Sequence, residues 1–477
     1  MLFNSIPFFI FLSIVFVLYW IVLKKHHKMQ NVLLLVGSYV FYGWWDYRFL
    51  ALILASTLVD YMVGIALSRQ ENKNKRKQLL WVSLLFNLGL LALFKYFNFF
   101  IDSWVDAWQL FGITMHTSTL NIILPVGISF YTFQTLSYTI DIYRKKLTPT
   151  RNFIEFATYV AFFPQLVAGP IERAAQLLPQ FKTKKTFSFK MAEKGMQLIV
   201  WGLFQKMVIA DSCATYANAI FVNHQNLNSL TLTMGAIYFA FQIYGDFAGY
   251  SNIAIGTAKL FGFQLMRNFN YPYFSRDIAE FWRRWHISLS TWFRDYLYIP
   301  LGGSRGRKGQ QIRNIFIIFL VSGFWHGANW TFVVWGGLHA LFFLPLLLLN
   351  RNRKHLDPIA LNKTIPGIRE FFQMLLTFSL TSFAWIFFRS ASISEGFLYI
   401  RRLFTNLNFK LEYLNIERYS IEMLLLIGIF ILMEWFSRGK ESPISGKFSF
   451  LKMSLIILMI ITLGVYSEHQ NFIYFQF

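Results

Sequence analysis

Apolar residues run along this chain in long stretches that short polar segments separate. About twelve of these stretches approach the roughly 20 apolar residues that a helix needs to cross the hydrocarbon core of a bilayer. They are residues 7–23, 30–46, 49–67, 79–99, 121–143, 197–221, 232–257, 314–330, 331–349, 371–388, 421–437 and 453–467. The pattern predicts an all-α, polytopic membrane protein.

The charges of the connecting loops predict the orientation of these helices. Lys24, Lys25 and Lys28 follow the first stretch, whereas residues 44–48 have no net charge. Basic loops face the cytoplasm in most membrane proteins, so we expect the N-terminus on the outside. Residues 389–420 contain several Lys and Arg although the count of spans places them outside. Their side of the membrane is left open.

Two further segments have a composition that favours re-entry over crossing. Residues 152–170 are apolar but contain Pro164 and Pro170, and basic residues flank the segment at both ends. Residues 278–300 are flanked by basic residues in the same way. A segment that starts and ends on one face of the membrane is expected to dip into the membrane and return. Non-helical backbone at that depth is tolerated only where it packs against protein or lines a water-filled cavity.

Composition and charge narrow the class of protein. The chain has 477 residues, 55% of them hydrophobic and only 14% charged, which is too few charges for a soluble protein of this length. The net charge of +22 resides largely in short loops, a distribution typical of contact with anionic lipid and not of nucleic-acid binding. The single cysteine, Cys213, excludes an internal disulfide. The first stretch lacks a basic leader and a cleavage site, so we expect a retained span.

His326 is the first candidate for chemistry, because it lies in an apolar run about thirteen residues after Arg313. At about 1.5 Å per residue the imidazole would lie roughly 20 Å along the helix, inside the bilayer core. An ionisable side chain at that depth is a functional hypothesis by default. The alternative is a structural histidine whose hydrogen bonds a neighbouring helix satisfies. Gly323 and Gly327 favour function, since they allow a ligand or another backbone to approach, and Trp325, Asn329 and Trp330 would add a polar partner and flat walls.

Other polar side chains in apolar surroundings are secondary candidates. His286 follows Trp282, Arg283 and Arg284 and could orient a substrate, or could simply be solvated near the inner surface. Asp246 lies within a span and requires a cationic partner such as an arginine, with a structural ion pair favoured over a catalytic role. Asp295 could form a pair with Arg294. The sequence has no His-Glu-x-x-His and no carboxylate cluster, so no metal site is predicted.

Several motifs in one order resemble the membrane-bound O-acyltransferase family, in particular its bacterial branch of alginate O-acetyltransferase-like proteins. The motifs are LPVGISFYTFQTLSY at 124–138, FPQLVAGPI at 163–171, FWRRWHISLS at 281–290, RDYLYIPLGG at 294–303 and SGFWHGANW at 322–330. The resemblance implies one integral-membrane domain over residues 1–477, with the motifs in about 121–349 and C-terminal helices in about 371–477. It implies about 11–12 transmembrane helices, with re-entrant or interfacial helices, around a central tunnel.

The resemblance also implies a reaction and its site. His326 would match the essential histidine of the family and His286 the histidine of its second motif, with His326 as general base. An acyl group, usually acetyl, would pass from a cytoplasmic thioester donor such as acetyl-CoA to an extracytoplasmic glycan, with the help of an extracytoplasmic acetyltransferase- or esterase-like partner protein. No bound cofactor is expected, and the location would be a bacterial inner membrane. Further residues expected along the tunnel are Asn329, Trp325, Trp282, Arg283, Arg284, Asp295, Asp246 and Tyr474.

Two alternatives remain at this point. Within the family, the reaction could be transfer of D-alanine from a carrier-protein thioester to teichoic acid. In a different class, the protein could be a transporter or lipid flippase, which would favour broken helices in two symmetric halves; no such pairing is visible in the sequence.

Overall fold

The fold is all-helical over the residues that the computed structural model describes, which confirms the predicted class. These residues are 1–115, 117, 119–120, 122–167, 169–360, 363–408, 410, 422–466 and 472–473. Contacts divide the chain into two compact units, Met1–Gly195 with Thr257–Met266, and Met196–Gly256 with Arg267–Phe477. The single domain expected over residues 1–477 stays a prediction, because two groups of contacts can belong to one domain.

The first unit contains the N-terminal helices. They are α1 (Ile6–Val17), α2 (His27–Asp46), α3 (Leu50–Arg69), α4 (Lys73–Leu91), α5 (Phe97–Gln109), α6 (Ile128–Tyr143), α7 (Phe153–Ala161), α8 (Phe163–Leu166), α9 (Ala174–Lys182) and the start of α10 (Phe189–Phe204). Short 3-10 or π-helical segments join or extend some of them, at Leu18–Val22, Tyr47–Phe49 and Ala92–Tyr96.

The second unit contains the end of α10 and the helices that follow. They are α11 (Asp211–Val222), most of α12 (Ser229–Leu260), α13 (Ile278–Arg284), α14 (Ile287–Phe293), α15 (Lys308–His326), α16 (Trp330–Leu348), α17 (Ile368–Arg389), α18 (Ile393–Thr405), α19 (Glu422–Trp435) and α20 (Ser449–Leu463). Short 3-10 or π-helical segments lie at Gln205–Ala210, His224–Asn226, Pro272–Phe274 and Arg294–Tyr298.

The apolar helices identify a multi-pass membrane protein. Five helical stretches of the described residues are long and apolar enough to cross a bilayer: His27–Arg69, Lys73–Gln109, Phe189–Val222, Trp330–Leu348 and Ile368–Arg389. Three shorter apolar helices are Ile6–Val22, Met423–Trp435 and Ser449–Leu463. The predicted stretches on α6, α12 and α15 are also helical, although they are more polar, so that their crossing of the membrane stays a prediction.

The turn between the second and third predicted stretches follows from its sequence. His27–Arg69 would extend about 65 Å as one α-helix, roughly twice the thickness of a bilayer core. Asp46 ends α2, and its carboxylate accepts a hydrogen bond from the backbone N–H of Arg48 at 3.0 Å. The 3-10 turn Tyr47–Phe49 then leads into α3. The stretch is therefore two helices with a turn between them, each about 30 Å long and thus long enough for one crossing, as the sequence predicts.

Short helices replace long ones in both segments that were expected to re-enter the membrane. The longest of them, α7, has nine residues and rises about 14 Å, less than half of a bilayer core. Residues 278–298 form α13, α14 and a π-helical turn, none longer than seven residues. Within the described residues of these two segments, no helix is long enough to cross a membrane.

Candidate functional site

His326 is the last residue of α15 and is buried, at 2% exposure. Its ring lies between aromatic side chains of three elements. The centres of the Trp325, Trp335 and Phe388 rings are 5.0, 5.1 and 5.5 Å from the centre of the imidazole. Trp335 on α16 and Phe388 on α17 meet it edge to face, at interplanar angles of 88° and 69°. This enclosure fixes the position of the imidazole at the end of its helix.

Glycines let α15 and α16 approach each other next to His326. A Cβ atom on Gly323 would lie 2.2 Å from the carbonyl oxygen of Phe332, and one on Gly336 would lie 2.3 Å from that of Phe319. A Cβ on Gly327 would meet the ring of Phe332 at 2.1 Å. The two possibilities for Gly323 and Gly327, approach of a ligand or of protein, are thus resolved in favour of protein packing.

His286 lies at the start of α14 in a left-handed backbone conformation, with φ of 43°. This conformation is uncommon for a residue with a side chain. The imidazole is fully buried, and its Nδ1 atom is 3.1 Å from the side-chain oxygen of Asn268. The same oxygen accepts hydrogen bonds from the hydroxyl and the backbone N–H of Ser288, at 2.9 and 3.3 Å. Since an amide oxygen only accepts, Nδ1 of His286 carries the proton, and Nε2 of the neutral ring is the basic nitrogen.

The two histidines are neighbours. The centres of the His286 and His326 rings are 6.3 Å apart, with an angle of 58° between their planes. Trp325 lies beside both rings, 6.1 Å from that of His286 and 5.0 Å from that of His326. On the other side of His286, the ring of Phe247 is 4.6 Å away. A pair of buried imidazoles in an aromatic enclosure can share contact with one small group.

Trp282 contacts a third histidine. Its indole N–H donates to Nδ1 of His339 at 3.3 Å, and the ring of Trp335 lies 4.9 Å from that of His339. His339 is also stacked on Phe281 with an interplanar angle of 6°. Trp335 therefore lies between His339 and His326, and the expected place of Trp282 along a tunnel stays a prediction.

Arg283 and Arg284 bind protein groups. Arg283 donates to the backbone carbonyls of Asn352 and His355 at 3.0 and 2.8 Å. Arg284 forms an ion pair with Glu280 at 2.8 Å, and Glu280 also pairs with Arg276 at 3.0 Å. Burial raises the pKa of the Glu280 carboxyl, but these two guanidinium groups more than offset it and hold that pKa below its usual value. The arginines thereby brace α13, and a role towards substrate stays a prediction.

Asp246 belongs to a buried ion cluster. Its carboxylate is 2.9 Å from the ammonium group of Lys206, which is also 2.7 Å from Asp211. The second carboxylate oxygen of Asp246 accepts a hydrogen bond from the backbone N–H of Ile473 at 2.7 Å. The expectation of a cationic partner is confirmed, but the partner is a lysine and not the arginine that was suggested.

The remaining candidates from the sequence are Asn329, Trp330, Asp295 and Tyr474, and the contacts of the first three are as follows. Asn329 caps α16 by accepting from the N–H of Thr331 at 3.0 Å, and its amide donates to the carbonyl of Ala391 at 2.9 Å. Trp330 is 52% exposed, so it does not wall the enclosure around His326. Asp295 forms the expected pair with Arg294, at 2.8 Å. Tyr474 lies outside the described residues.

Three contributors to this region were not found from the sequence: Asn268, Ser288 and Lys206. Asn268 lies in irregular chain 18 residues before its histidine, and nothing in its neighbourhood distinguishes it from a loop asparagine. Ser288 follows a histidine at a helix start, where a serine is ordinary. Lys206 alone had a signal, since it is a cation inside the apolar run 197–221.

Comparison with known proteins relates this site to one family. The sequence profile described as "MBOAT, membrane-bound O-acyltransferase family" matches residues 147–389, which include both His286 and His326. The chain is 38% identical to "Probable alginate O-acetylase AlgI" of Azotobacter vinelandii over 452 residues, or 94% of this chain and 87% of that protein. It is 34% identical to "Peptidoglycan O-acetyltransferase" of Helicobacter pylori over 426 residues, or 83% and 78% of the two chains. A more distant relative, "Teichoic acid D-alanyltransferase" of Streptococcus thermophilus, is 28% identical over 55% of this chain and 68% of that protein.

Proposed function

This chain belongs to the membrane-bound O-acyltransferase family, and from that premise we propose that it acetylates hydroxyl groups of an extracytoplasmic polysaccharide or cell-envelope glycan. The acetyl group comes from a thioester donor on the cytoplasmic side, such as acetyl-CoA. The names of the relatives with the higher identities and the wider coverage support acetyl as the group that is transferred.

The observation that carries the mechanism is the buried pair of imidazoles. His326 and His286 are both almost wholly enclosed, with ring centres 6.3 Å apart. Histidine suits proton transfer near neutral pH, because its unperturbed pKa lies close to that pH. An aromatic enclosure also keeps water away from an acyl group during transfer.

In the proposed reaction His326 is the general base. It takes the proton of an acceptor hydroxyl, whose oxygen attacks the carbonyl carbon of the thioester. The bond from that carbon to sulfur then breaks, and the thiol leaves with a proton. Help of this kind contributes about 10²–10⁴-fold to a rate, and holding the two reactants together in one cavity contributes further.

His286 would orient the reacting group. Its Nδ1–H is committed to Asn268, so Nε2 is the nitrogen with a lone pair for substrate or for a shared proton. Ser288 donates to the same amide oxygen and steadies the asparagine. In this proposal, His326 on α15 accepts the proton, and His286 at the start of α14 orients the reacting group.

The wider setting of the proposal follows from the loops and the relatives. The basic loop at Lys24, Lys25 and Lys28 supports a cytoplasmic side after the first helix, and thus an N-terminus outside the cytoplasm. A bacterial inner membrane gives access to a cytoplasmic thioester and to an envelope glycan. An extracytoplasmic acetyltransferase- or esterase-like protein would complete delivery to the acceptor.

Transfer of D-alanine is the second candidate, supported by the relative in Streptococcus thermophilus. That relative matches only 55% of this chain, against 94% for the alginate O-acetylase relative, which favours acetyl transfer. Family membership likewise favours acyl transfer over a transporter or flippase.

Labelled acetyl transfer in membrane vesicles tests the proposal. We expect the wild-type chain to move label from acetyl-CoA, supplied on the cytoplasmic face, to a glycan on the opposite face. The variant His326→Ala should lose at least about 100-fold of this rate, because an alanine side chain cannot accept the proton of the acceptor hydroxyl.

A histidine outside the pair serves as the control. His355 lies in the loop after α16, where its ring is not part of the aromatic enclosure, and His355→Ala should keep most of the activity. Retention of transfer by folded His326→Ala would reject the role of His326. Transfer that depends on an aminoacyl carrier protein and not on acetyl-CoA would support the D-alanyl alternative.

A further inference from the structure

A cavity lies where α16 ends and α17 begins, at the edge of both membrane-spanning helices. Its volume is about 240 Å³, and its lining comes from α13, α16, α17 and the loop between the last two. Sites for drug-sized molecules occupy roughly 300–1,000 Å³. The cavity is thus suited to a headgroup and the first part of an acyl chain, with the rest of the molecule outside it.

Three cations form the polar rim of this cavity. Arg351 and Lys354 lie in the loop after α16, and Arg369 lies in the first turn of α17. All three are exposed, and their side chains form no ion pair within the described part of the chain. The rim therefore has a charge of about +3 available to an anion.

The other polar groups of the lining are already engaged. Arg276 pairs with Glu280 and with Glu370, at 3.0 and 3.4 Å. Asp277 caps α13 by accepting from the N–H of Glu280 at 2.7 Å. Burial and the charge of Arg276 lower the pKa of His355, so this ring adds little positive charge at neutral pH. The attraction for an anion comes from Arg351, Lys354 and Arg369.

Apart from Gln373 and Thr377, the rest of the lining is apolar and continues onto the outer face of the helices. Phe342, Pro345 and Leu346 contribute from α16, and Leu376 and Leu380 contribute from α17. Leu376 is 61% exposed, as expected for a side chain that contacts lipid. A molecule that fits has an anionic head at the membrane surface and a hydrocarbon tail along the helices.

We propose that this cavity is a binding site for an anionic phospholipid, with its phosphate between Arg351, Lys354 and Arg369 and an acyl chain along Leu346, Leu376 and Leu380. Basic pockets between membrane helices recognise such headgroups through charge and hydrogen bonds. The bound lipid joins α16 to α17, the helices that supply Trp335 and Phe388 to the enclosure of His326. This site does not depend on the reaction proposed above.

Lipid binding to the purified full chain in detergent tests the proposal without an activity assay. Native mass spectrometry would count bound lipid, and the thermal unfolding midpoint would report stabilisation, with phosphatidylglycerol, phosphatidylcholine, inorganic phosphate and acetyl-CoA as separate probes. We expect phosphatidylglycerol to bind at about one molecule per chain and to raise the midpoint, and the other three to do neither at the same concentration. Equal binding of phosphatidylcholine would overturn the proposal, as would displacement of the lipid by inorganic phosphate or by acetyl-CoA.

Matched variants locate the headgroup. R351Q/R369Q should weaken phosphatidylglycerol binding about 10- to 30-fold, since each basic side chain near a lipid surface contributes about three- to fivefold. R353Q/K363Q removes the same charge from the same loop without touching the cavity, and it should bind as the wild type does. R351K/R369K, which keeps the charge, should retain binding. Equal weakening in R353Q/K363Q would reject the site.

A second pair of variants locates the acyl chain. Leu376→Asn places an amide in the lining, whereas Leu375→Asn makes the same change at a neighbouring exposed position outside it. Only Leu376→Asn should weaken binding. If both variants bind phosphatidylglycerol as tightly as the wild type, the acyl chain of the lipid does not lie in this cavity and the proposal fails.

Discussion

At the scale of single residues, the left-handed backbone conformation of His286 has a clear cost in conformational free energy. A non-glycine residue held at φ of 43° and ψ of 55° costs of order 1–3 kcal/mol and persists only where its surroundings fix it. Asn268 supplies that constraint through three hydrogen bonds to its side-chain oxygen, from His286 and Ser288. The strain is therefore held by one amide group that also sets the tautomer of the imidazole.

Replacement of Asn268 by leucine tests this constraint. Asn268→Leu leaves three buried donors without their acceptor, at a cost of about 1–3 kcal/mol each if they find no other. Of these three hydrogen bonds, the one from His286 orients the imidazole, and its loss alone lowers kcat about 10- to 100-fold. Acetyl transfer by purified protein, compared with its thermal stability, would measure the effect.

The control for Asn268→Leu is Asn270→Leu. Asn270 lies two residues further on and is joined to Arg284 through backbone atoms, so the loss of its side-chain amide should leave kcat nearly unchanged. A kcat for Asn268→Leu equal to that of the wild type would show that His286 needs no such positioning.

The sequence identifies a functional candidate when the residue is unusual for its own surroundings in the chain. It does not identify a residue whose role depends on a contact with a distant part of the chain. His326 stands out as an ionisable group in an apolar run, and its buried position is confirmed. Asn268 does not stand out, because its contact with His286 arises only when irregular chain folds back onto α14. The same holds for the pairing of Asp246 with Lys206, which lie 40 positions apart in the chain.

At the scale of elements, glycine contacts let α15 and α16 pack closely next to His326. The Cα atoms of Gly323 and Gly336 come close enough that either Cβ would penetrate the opposite backbone. Small residues at helix crossings are typical of membrane proteins, where close packing replaces the hydrophobic drive. His326 is three residues after Gly323, so a change in this crossing moves the imidazole.

Gly323→Ala tests the importance of that crossing. The new Cβ would lie 2.2 Å from the carbonyl oxygen of Phe332, which is backbone and cannot turn away. The helices must separate, and overpacking of this kind destabilises by about 1–3 kcal/mol. We expect a lower unfolding midpoint together with a loss of acetyl transfer.

Gly337→Ala is the matched control on α16. Its Cβ would meet the side chain of Leu320 at 3.7 Å, an ordinary contact. Because alanine favours a helix by about 1 kcal/mol over glycine, this variant should be neutral or slightly more stable. Equal loss of stability in both variants would show that helix propensity, and not the crossing, decides the outcome.

The elements themselves were largely predictable because membrane helices are long and their apolar signal is strong. Every predicted stretch overlaps a helix in the described residues, although α6 begins only at Ile128 and α15 ends at His326, and the turn at Tyr47–Phe49 falls where charges appear. The short helices α7, α8, α13 and α14 could be predicted only as non-crossing segments, since periodicity is uninformative over four to nine residues. Their ends are set by caps and tertiary contacts, such as Asp277 at the start of α13.

At the scale of the whole molecule, one ion cluster joins parts of the chain that are far apart in sequence. Lys206 lies in the π-helical segment after α10, Asp211 begins α11, Asp246 lies in α12, and Ile473 is near the C-terminus. Phe472 packs on Tyr250, with ring centres 4.3 Å apart, and on Phe247, which contacts His286. The cluster thus anchors Phe472 and Ile473 one ring away from the histidine pair.

Charge balance in this cluster leads to a prediction for the whole fold. Lys206→Met leaves two buried carboxylates, Asp211 and Asp246, without their shared cation, and removal of one partner from a buried ion pair costs about 3–5 kcal/mol. The chain should unfold at a markedly lower temperature. The combined variant K206M/D211N/D246N removes all three charges, and Asn at position 246 still offers an oxygen to the N–H of Ile473, so most of the stability should return. Thermal unfolding of the three proteins in one detergent checks this, and a combined variant no more stable than Lys206→Met alone would show that the ammonium group acts through packing and not through its charge.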